Sequence, residues 1–239
     1  MTAPHTWSKH VLKFALLLLA GVSLHVHAGL FGSGGDSWKE EVLLHDGQKM
    51  IVERSQTYGG RSEPGQSGPI AEHSIRFTVP GASRFITWTS EYSEDIGRTN
   101  FNLLAVHVKD GIPYLVVEPN LCLSYNKWGR PNPPFVYFKF VDEAWQRIPL
   151  EQLPAEFETI NVVRNTLGRD SELLVSMGFV PSEKVAEMNR TKTREYKSIL
   201  REPVSGGFGM SSCEELIYYK CGWGSPSEIN RKYFENSCK

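Results

Sequence analysis

Residues 101–149, FNLLAVHVKDGIPYLVVEPNLCLSYNKWGRPNPPFVYFKFVDEAWQRIP, decide the fold. FNLLAVHV and IPYLVVEP flank Lys109-Asp110-Gly111, and FVYFKF and AWQRIPL flank Val141-Asp142-Glu143. β-Branched and aromatic runs broken by short Asp- and Gly-bearing turns are the pattern of β-hairpins. In 136–140 the even positions are apolar, with Lys139 outward and Tyr137 amphipathic at the rim, as a half-buried strand requires. LLAVHV and YLVVEP are almost continuously apolar, which fits central strands covered on both faces. Between the hairpins lies LCLSYNKWGRPNPP (121–134), a loop rich in proline, tryptophan and asparagine.

Upstream, WKEEVLLH (38–45) and QKMIVERSQTY (48–58) flank Asp46-Gly47, a hairpin turn in which both central residues are expected at positive φ. GGRSEPGQSGP (59–69) is a loop. HSIRFTV and RFITWTS form two more strands joined at Pro80-Gly81, and the odd positions of 75–79 are apolar. ETINVVR (158–164) is the last expected strand. The fold class is therefore α+β: an antiparallel β-sandwich or open barrel over 38–164, followed by a helical C-terminal segment packed on it, 165–239. A propeller is excluded, because the turn spacing is irregular and about 125 residues cannot supply four blades of about 40.

Helical signals begin near residue 171. SELLVSMG is a short helix, and Ser182 opens a longer one through 183–200, stopped at Glu202-Pro203. Ser211 and Glu214 have capping-box spacing ahead of CEELIYYKC (213–221), and Pro226 starts a last helix, PSEINRKYFENSC. These last two helices are expected to form a hairpin turning at Gly222–Pro226.

The chain opens with Lys9 and Lys13, an apolar run of 11 residues (14–24), and Val26-His27-Ala28. That is the layout of a cleavable signal peptide, 1–28, whose apolar core is shorter than the about 20 residues a membrane helix needs. The alternative is an uncleaved inner-membrane anchor, against which His25 and His27 count. Residues 29–37, GLFGSGGDS, are a flexible leader. Removing the first 28 of 239 residues takes Lys9 and Lys13 away and changes the formal charge from −1 to −3. A near-neutral chain with interspersed charges gives no electrostatic case for nucleic acid, and no later apolar run supports stable membrane insertion.

An exported chain with four cysteines, Cys122, Cys213, Cys221 and Cys238, is expected to hold two disulfides. If 213–221 is one helix, its ends lie about 12 Å apart at 1.5 Å per residue. That is too far for a bridge, which needs Cα atoms within about 7 Å. Two antiparallel helices then bring Cys213 to Cys238 and leave Cys221 for Cys122.

Chemistry-bearing clusters are sparse. His107 with Cys122 as base and nucleophile needs a free thiol, which the disulfides consume. His45-Asp46 and His73 lack companions at metal-ligand spacing, and Glu91, Glu94 and Asp95 lack the pattern of a calcium loop. Gly206-Gly207-Phe208-Gly209 lacks the strand and Gly-Lys of a phosphate cradle. No cofactor and no metal are expected. Tyr125, Trp128 and Trp145 flank the proline-rich loop and are the candidate binding residues, for a glycan or a proline-rich peptide; the competing role for them is packing against Pro131, Pro133 and Pro134.

SEDIG (93–97), CLSYNKWGRPNPP, AWQRIPL and SSCEELIYYKCGW (211–223) together resemble a family of uncharacterised exported bacterial proteins, across 38–239. The resemblance implies export and a shared fold, and no activity. The function expected from the residues is a non-enzymatic envelope protein, periplasmic or secreted, that binds an envelope partner or glycan through the aromatic loop. The alternatives are a periplasmic hydrolase assembled from distant residues such as His107 and the acidic loop, and a membrane-anchored protein.

Overall fold

The computed structural model describes residues 35–61, 68–190, 197–205 and 209–238. The expected signal peptide, most of the leader, and Gly206-Gly207-Phe208 lie outside the described residues. The chain runs β1 (Asp36–Leu43), β2 (Lys49–Tyr58), β3 (Ile70–Thr78), β4 (Phe85–Ser90), β5 (Tyr92–Ser93), β6 (Arg98–Thr99), β7 (Phe101–Lys109), β8 (Ile112–Pro119), α1 (Leu121–Lys127), β9 (Val136–Val141) and β10 (Ala144–Ile148). It continues as α2 (Arg169–Met177), β11 (Phe179–Val180), α3 (Ser182–Arg190), β12 (Ile217–Tyr219), β13 (Gly222–Gly224) and α4 (Glu228–Ser237). Asp36 and Ser37, expected in the leader, are already paired in β1, opposite Gln56 and Ser55.

The class is α+β with mostly antiparallel sheets, and no sheet closes into a barrel. One sheet has the order β11-β1-β2-β3-β4, parallel only at β11–β1; the other has the order β10-β9-β8-β7. Both central hairpins form as expected. Asp110 and Gly111 sit at φ 52° and 73°, and Asp142 and Glu143 at 50° and 63°, the left-handed pairs that a two-residue turn between right-twisted strands demands. At Asp46-Gly47 only the glycine has positive φ, 84°, because the turn is longer: the Leu44 N–H donates to Gln48 O at 2.8 Å and Gly47 N–H to Leu44 O at 3.1 Å.

One buried cluster joins the two sheets. The first contributes Val42, Met50, Val52, Ile75, Phe77 and Trp88, and the second Phe101, Leu103, Val106, Leu115, Val117 and Val136. Each such side chain contributes about 1.5–3 kcal/mol by leaving water. The first sheet is solvated on its other face, so its strands alternate; β2 reads exposed, buried, exposed, buried from Lys49. The second sheet is covered on both faces. Leu104, Ala105, Tyr114, Val116 and Tyr137 pack under Leu153, Phe157, Ile160 and Ile199, which is why β7 and β8 carry no alternation in sequence.

Residues 158–164 are not a strand, contrary to expectation. They close the seam between β1 and β7 with side chains in place of a ladder. The Asn161 amide accepts from Val106 N–H (2.9 Å) and donates to Val106 O (2.8 Å) and Leu43 O (3.1 Å), so one side chain bonds both sheets. A fully buried ion pair fastens Val163. Arg54 reaches both Glu40 oxygens (3.1 and 3.3 Å) and Val163 O (3.1 Å), while Glu40 accepts from Trp38 Nε1 (2.6 Å) and Val163 N–H (3.0 Å). Both Glu40 oxygens and the Arg54 Nη1 are hydrogen-bonded; removing one member of such a pair costs about 3–5 kcal/mol.

The C-terminal region is not purely helical. β11 joins the first sheet and brings Val180 to it, and α2 and α3 cover Trp38 and Val163 through Leu174 and Val185. The long helix expected over 183–200 ends at Arg190 among the described residues. Ser198 bridges Thr159 and the Ile199 N–H donates to Glu158 O (2.8 Å), because Ile199 is drawn under the second sheet. The helix expected over 213–221 is overturned as well. A 3-10 turn, Gly209–Ser212, leads into the β12–β13 hairpin, and α4 follows, capped by Ser227 accepting from Asn230 N–H. Phe234 of α4 lies so close to the hairpin that a Cβ on Gly222 would meet its ring at 2.5 Å.

Candidate functional site

The stretch 121–134, expected as a loop, opens with α1, which gives the three candidate residues separate tasks. Tyr125 is 3% exposed, with the Arg130 guanidinium 5.1 Å from its ring centre, so it is a packing residue. Trp128 is half-buried against the shared cluster: its ring lies 4.5 Å from Phe101 and its Nε1 donates to Asn100 Oδ1 at 3.2 Å. Trp145, on β10, is also half-buried, and its Nε1 donates to Thr87 O of β4 (2.8 Å), bolting the free edges of the two sheets together. The Arg84–Glu143 ion pair crosses the same gap. Arg147, two residues along β10 from Trp145, brings its guanidinium to 5.7 Å from the Trp128 ring. Arg147 thus links β10, which carries Trp145, to the Trp128 ring, while Tyr125 is buried.

The cysteines pair as Cys122–Cys213 and Cys221–Cys238, with Cα separations of 5.4 and 5.7 Å. The expected pairing, Cys122–Cys221 and Cys213–Cys238, is corrected. It followed from treating 213–221 as a helix, and the strand hairpin there sends Cys221 back to the end of α4 while leaving Cys213 beside α1. Arg130 donates to Cys213 O (2.7 Å) and Glu214 O (2.9 Å), Asn126 accepts from Leu216 N–H (2.8 Å), and Trp223 Nε1 reaches Asp95 O (2.9 Å). The tail is therefore fastened to α1 and to the acidic loop.

His107, Asp95 and His73 have structural partners. The His107 Nε2–H donates to Thr159 O (2.9 Å) and its ring stacks on Phe157 at 4.6 Å; burial pushes its pKa down to about 4. Cys122 is in a bridge, so no Cys–His pair forms. Burial alone would raise Asp95, yet hydrogen bonds from Lys127 (2.7 Å) and Ser93 (2.5 Å) outweigh it and hold the carboxyl below its usual value. His73 is fully buried and donates to Phe101 O (2.7 Å); burial, then the Arg54 charge, push it down to about 3. Among the described residues no group of three His, Cys, Asp or Glu could hold a metal ion.

A cleft of about 390 Å³ lies over the seam. Its floor is Thr159, Ile160 and Asn161, one wall is α3, and Leu43 forms the rim where β1 ends. Neither the seam nor this cleft was anticipated. Asn161 read as one residue of an ordinary strand, and a cleft between segments over 100 residues apart leaves no local signal. The Glu40–Arg54 pair did leave one. Glu40 has the inward parity of Trp38 and Val42, and Arg54 that of Met50 and Val52. Comparison of this chain with protein-family models, with curated proteins and with solved structures finds no match.

Proposed function

We propose that this chain is a non-enzymatic envelope protein, periplasmic or secreted after loss of its first 28 residues, that binds a glycan along the Trp128–Arg147–Trp145 edge. The supporting observation is the fixed geometry of two half-buried indoles. Trp128 is tied through its N–H to Asn100 and Trp145 to Thr87 O, with Arg147 beside the Trp128 ring. Rings already held in place lose little freedom when a sugar face stacks on them, and a guanidinium supplies hydroxyl-binding donors. An open two-sheet sandwich is the finer fold this reading assumes, supported by the cluster that the sheets share. The two disulfides and the absence, among the described residues, of any helix long and apolar enough to cross a membrane are consistent with that compartment.

The test is binding to envelope glycan fragments, comparing wild type with Arg147→Ala and with Trp145→Phe, which keeps an aromatic ring at the sheet corner. Retention by wild type and at least a tenfold loss in both variants is the expected result. No retention by wild type, or equal retention by Arg147→Ala, overturns the reading. Capture of an envelope protein in place of glycan would transfer the same edge to a protein partner. A mature N-terminus at Met1 would replace export with membrane anchoring.

A further inference from the structure

We infer that the cleft between α3 and the seam is a second binding site, for a small amphipathic anion: an apolar chain ending in a carboxylate or phosphate. Its volume, about 390 Å³, falls within the roughly 300–1,000 Å³ of small-ligand sites. Its lining is mostly carbon, and the reason lies in the hydrogen bonds already described. Asn161 spends its amide on Val106 and Leu43, Asn189 donates to Val162 O (2.9 Å), and Ser182 donates to Glu41 (2.7 Å). What faces the cleft is then largely Ile160, Val185, Ala186 and Leu43, and Leu43 is 45% exposed although it ends a core strand.

The sign of the ligand follows from the charges around it. The acids of α3 are engaged: Glu183 with Lys49 (3.3 Å) and Glu187 with Lys184 (3.0 Å). Glu41, beside Ser182, is held by Lys49 at 2.7 Å. Arg190 and Lys197 line the cleft and form no ion pair among the described residues, so two positive charges border its apolar lining. Glu158, next to Thr159 of the floor, forms no ion pair with either cation. An anionic head at the mouth with its chain along Ile160 and Val185 satisfies both features.

The probe is decanoate below its micellar concentration, titrated calorimetrically into the full chain with decyltrimethylammonium as the cationic control. Three variants accompany it: Ala186→Trp, which fills the cleft from an exposed helix position; Arg190→Glu with Lys197→Glu; and Glu158→Gln. We expect one decanoate bound per chain, no binding by the cation, loss of binding in Ala186→Trp, at least tenfold weakening in the charge-reversed variant, and unchanged or tighter binding in Glu158→Gln. Absence of decanoate binding, or equal binding by Ala186→Trp, overturns the site. Equal binding of the cation, or an undiminished charge-reversed variant, overturns the anionic class. None of these variants touches the Trp128–Arg147–Trp145 edge, so the two sites fail or stand separately.

Discussion

Replacing Asn161 with alanine should unfasten the seam, and the cost can be worked from three bonds. The amide serves Val106 N–H at 2.9 Å, Val106 O at 2.8 Å and Leu43 O at 3.1 Å. Val106 is 0% exposed, so both of its backbone groups lose a partner that water cannot replace, at about 1–3 kcal/mol each. Leu43 is 45% exposed, so its carbonyl recovers hydration and adds little. The sum is about 2–6 kcal/mol, a large share of the about 5–15 kcal/mol that holds a typical domain. Asn161→Asp should cost no less at neutral pH, because it keeps the acceptor for Val106 N–H but points a carboxylate oxygen at two carbonyls. The assay is urea unfolding followed by tryptophan fluorescence: the midpoint should fall and the slope should stay constant, the mark of lost native stability. An alanine variant within about 1 kcal/mol of wild type would refute the account of the seam, since that is the net worth of one ordinary hydrogen bond.

Trp128→Ala should lower stability by about 2 kcal/mol, less than the 3–5 kcal/mol of a fully buried tryptophan, because the ring is half-buried; lost glycan retention with an unchanged melting temperature would refute the packing role. Non-reducing peptide mapping should recover Cys122 with Cys213 and Cys221 with Cys238. Paired serine replacements should cost more at the first bridge, since sequence separations of 91 and 17 residues correspond to about 4.6 and about 3.1 kcal/mol of loop-closure entropy; an equal cost or a reversed order would show that the tail adds no constraint of that kind. Stability should fall as pH drops below about 6.5, as urea midpoints at pH 7.5, 5.5 and 4.5 would report. His73 is held near 3 and His107 near 4 when folded, so the unfolded chain takes up protons first, and the loss accumulates until pH reaches those folded values. His73→Gln should flatten that slope, and an unchanged slope would remove His73 from the explanation.

The elements legible in the sequence were those whose cause is local. Asp110-Gly111 and Asp142-Glu143 sit at left-handed φ between strand-forming runs, and the period-two pattern of 75–79 reflects one dry face and one wet face. The last helix was readable because its first turn carries its own cap, Ser227, although it starts at Glu228, two residues past the expected Pro226. The candidate site was half legible. Arg147 of β10 comes within 5.7 Å of the Trp128 ring, but Tyr125 is taken into the interior by α1, a helix hidden among asparagine, glycine and proline.

The errors share a cause. Ser211 to Cys221 carries a fair helix signal, yet Phe234 needs the bare backbone of Gly222, and the contact with α4 holds that stretch as strand. The cysteine pairing failed with it. Residues 158–164 look like a strand and are buried like one, but their partners are edges of two different sheets, so Asn161 does with its amide what a ladder does with its backbone. Composition and periodicity fixed the hairpins around Asp110-Gly111 and Asp142-Glu143, the even cysteine count and the two-faced burial of β7 and β8, because those depend on neighbours in the chain. The seam, the disulfide partners and the cleft beside α3 were decided only in three dimensions. Each depends on which residues from distant segments must share a dry space and satisfy one another there.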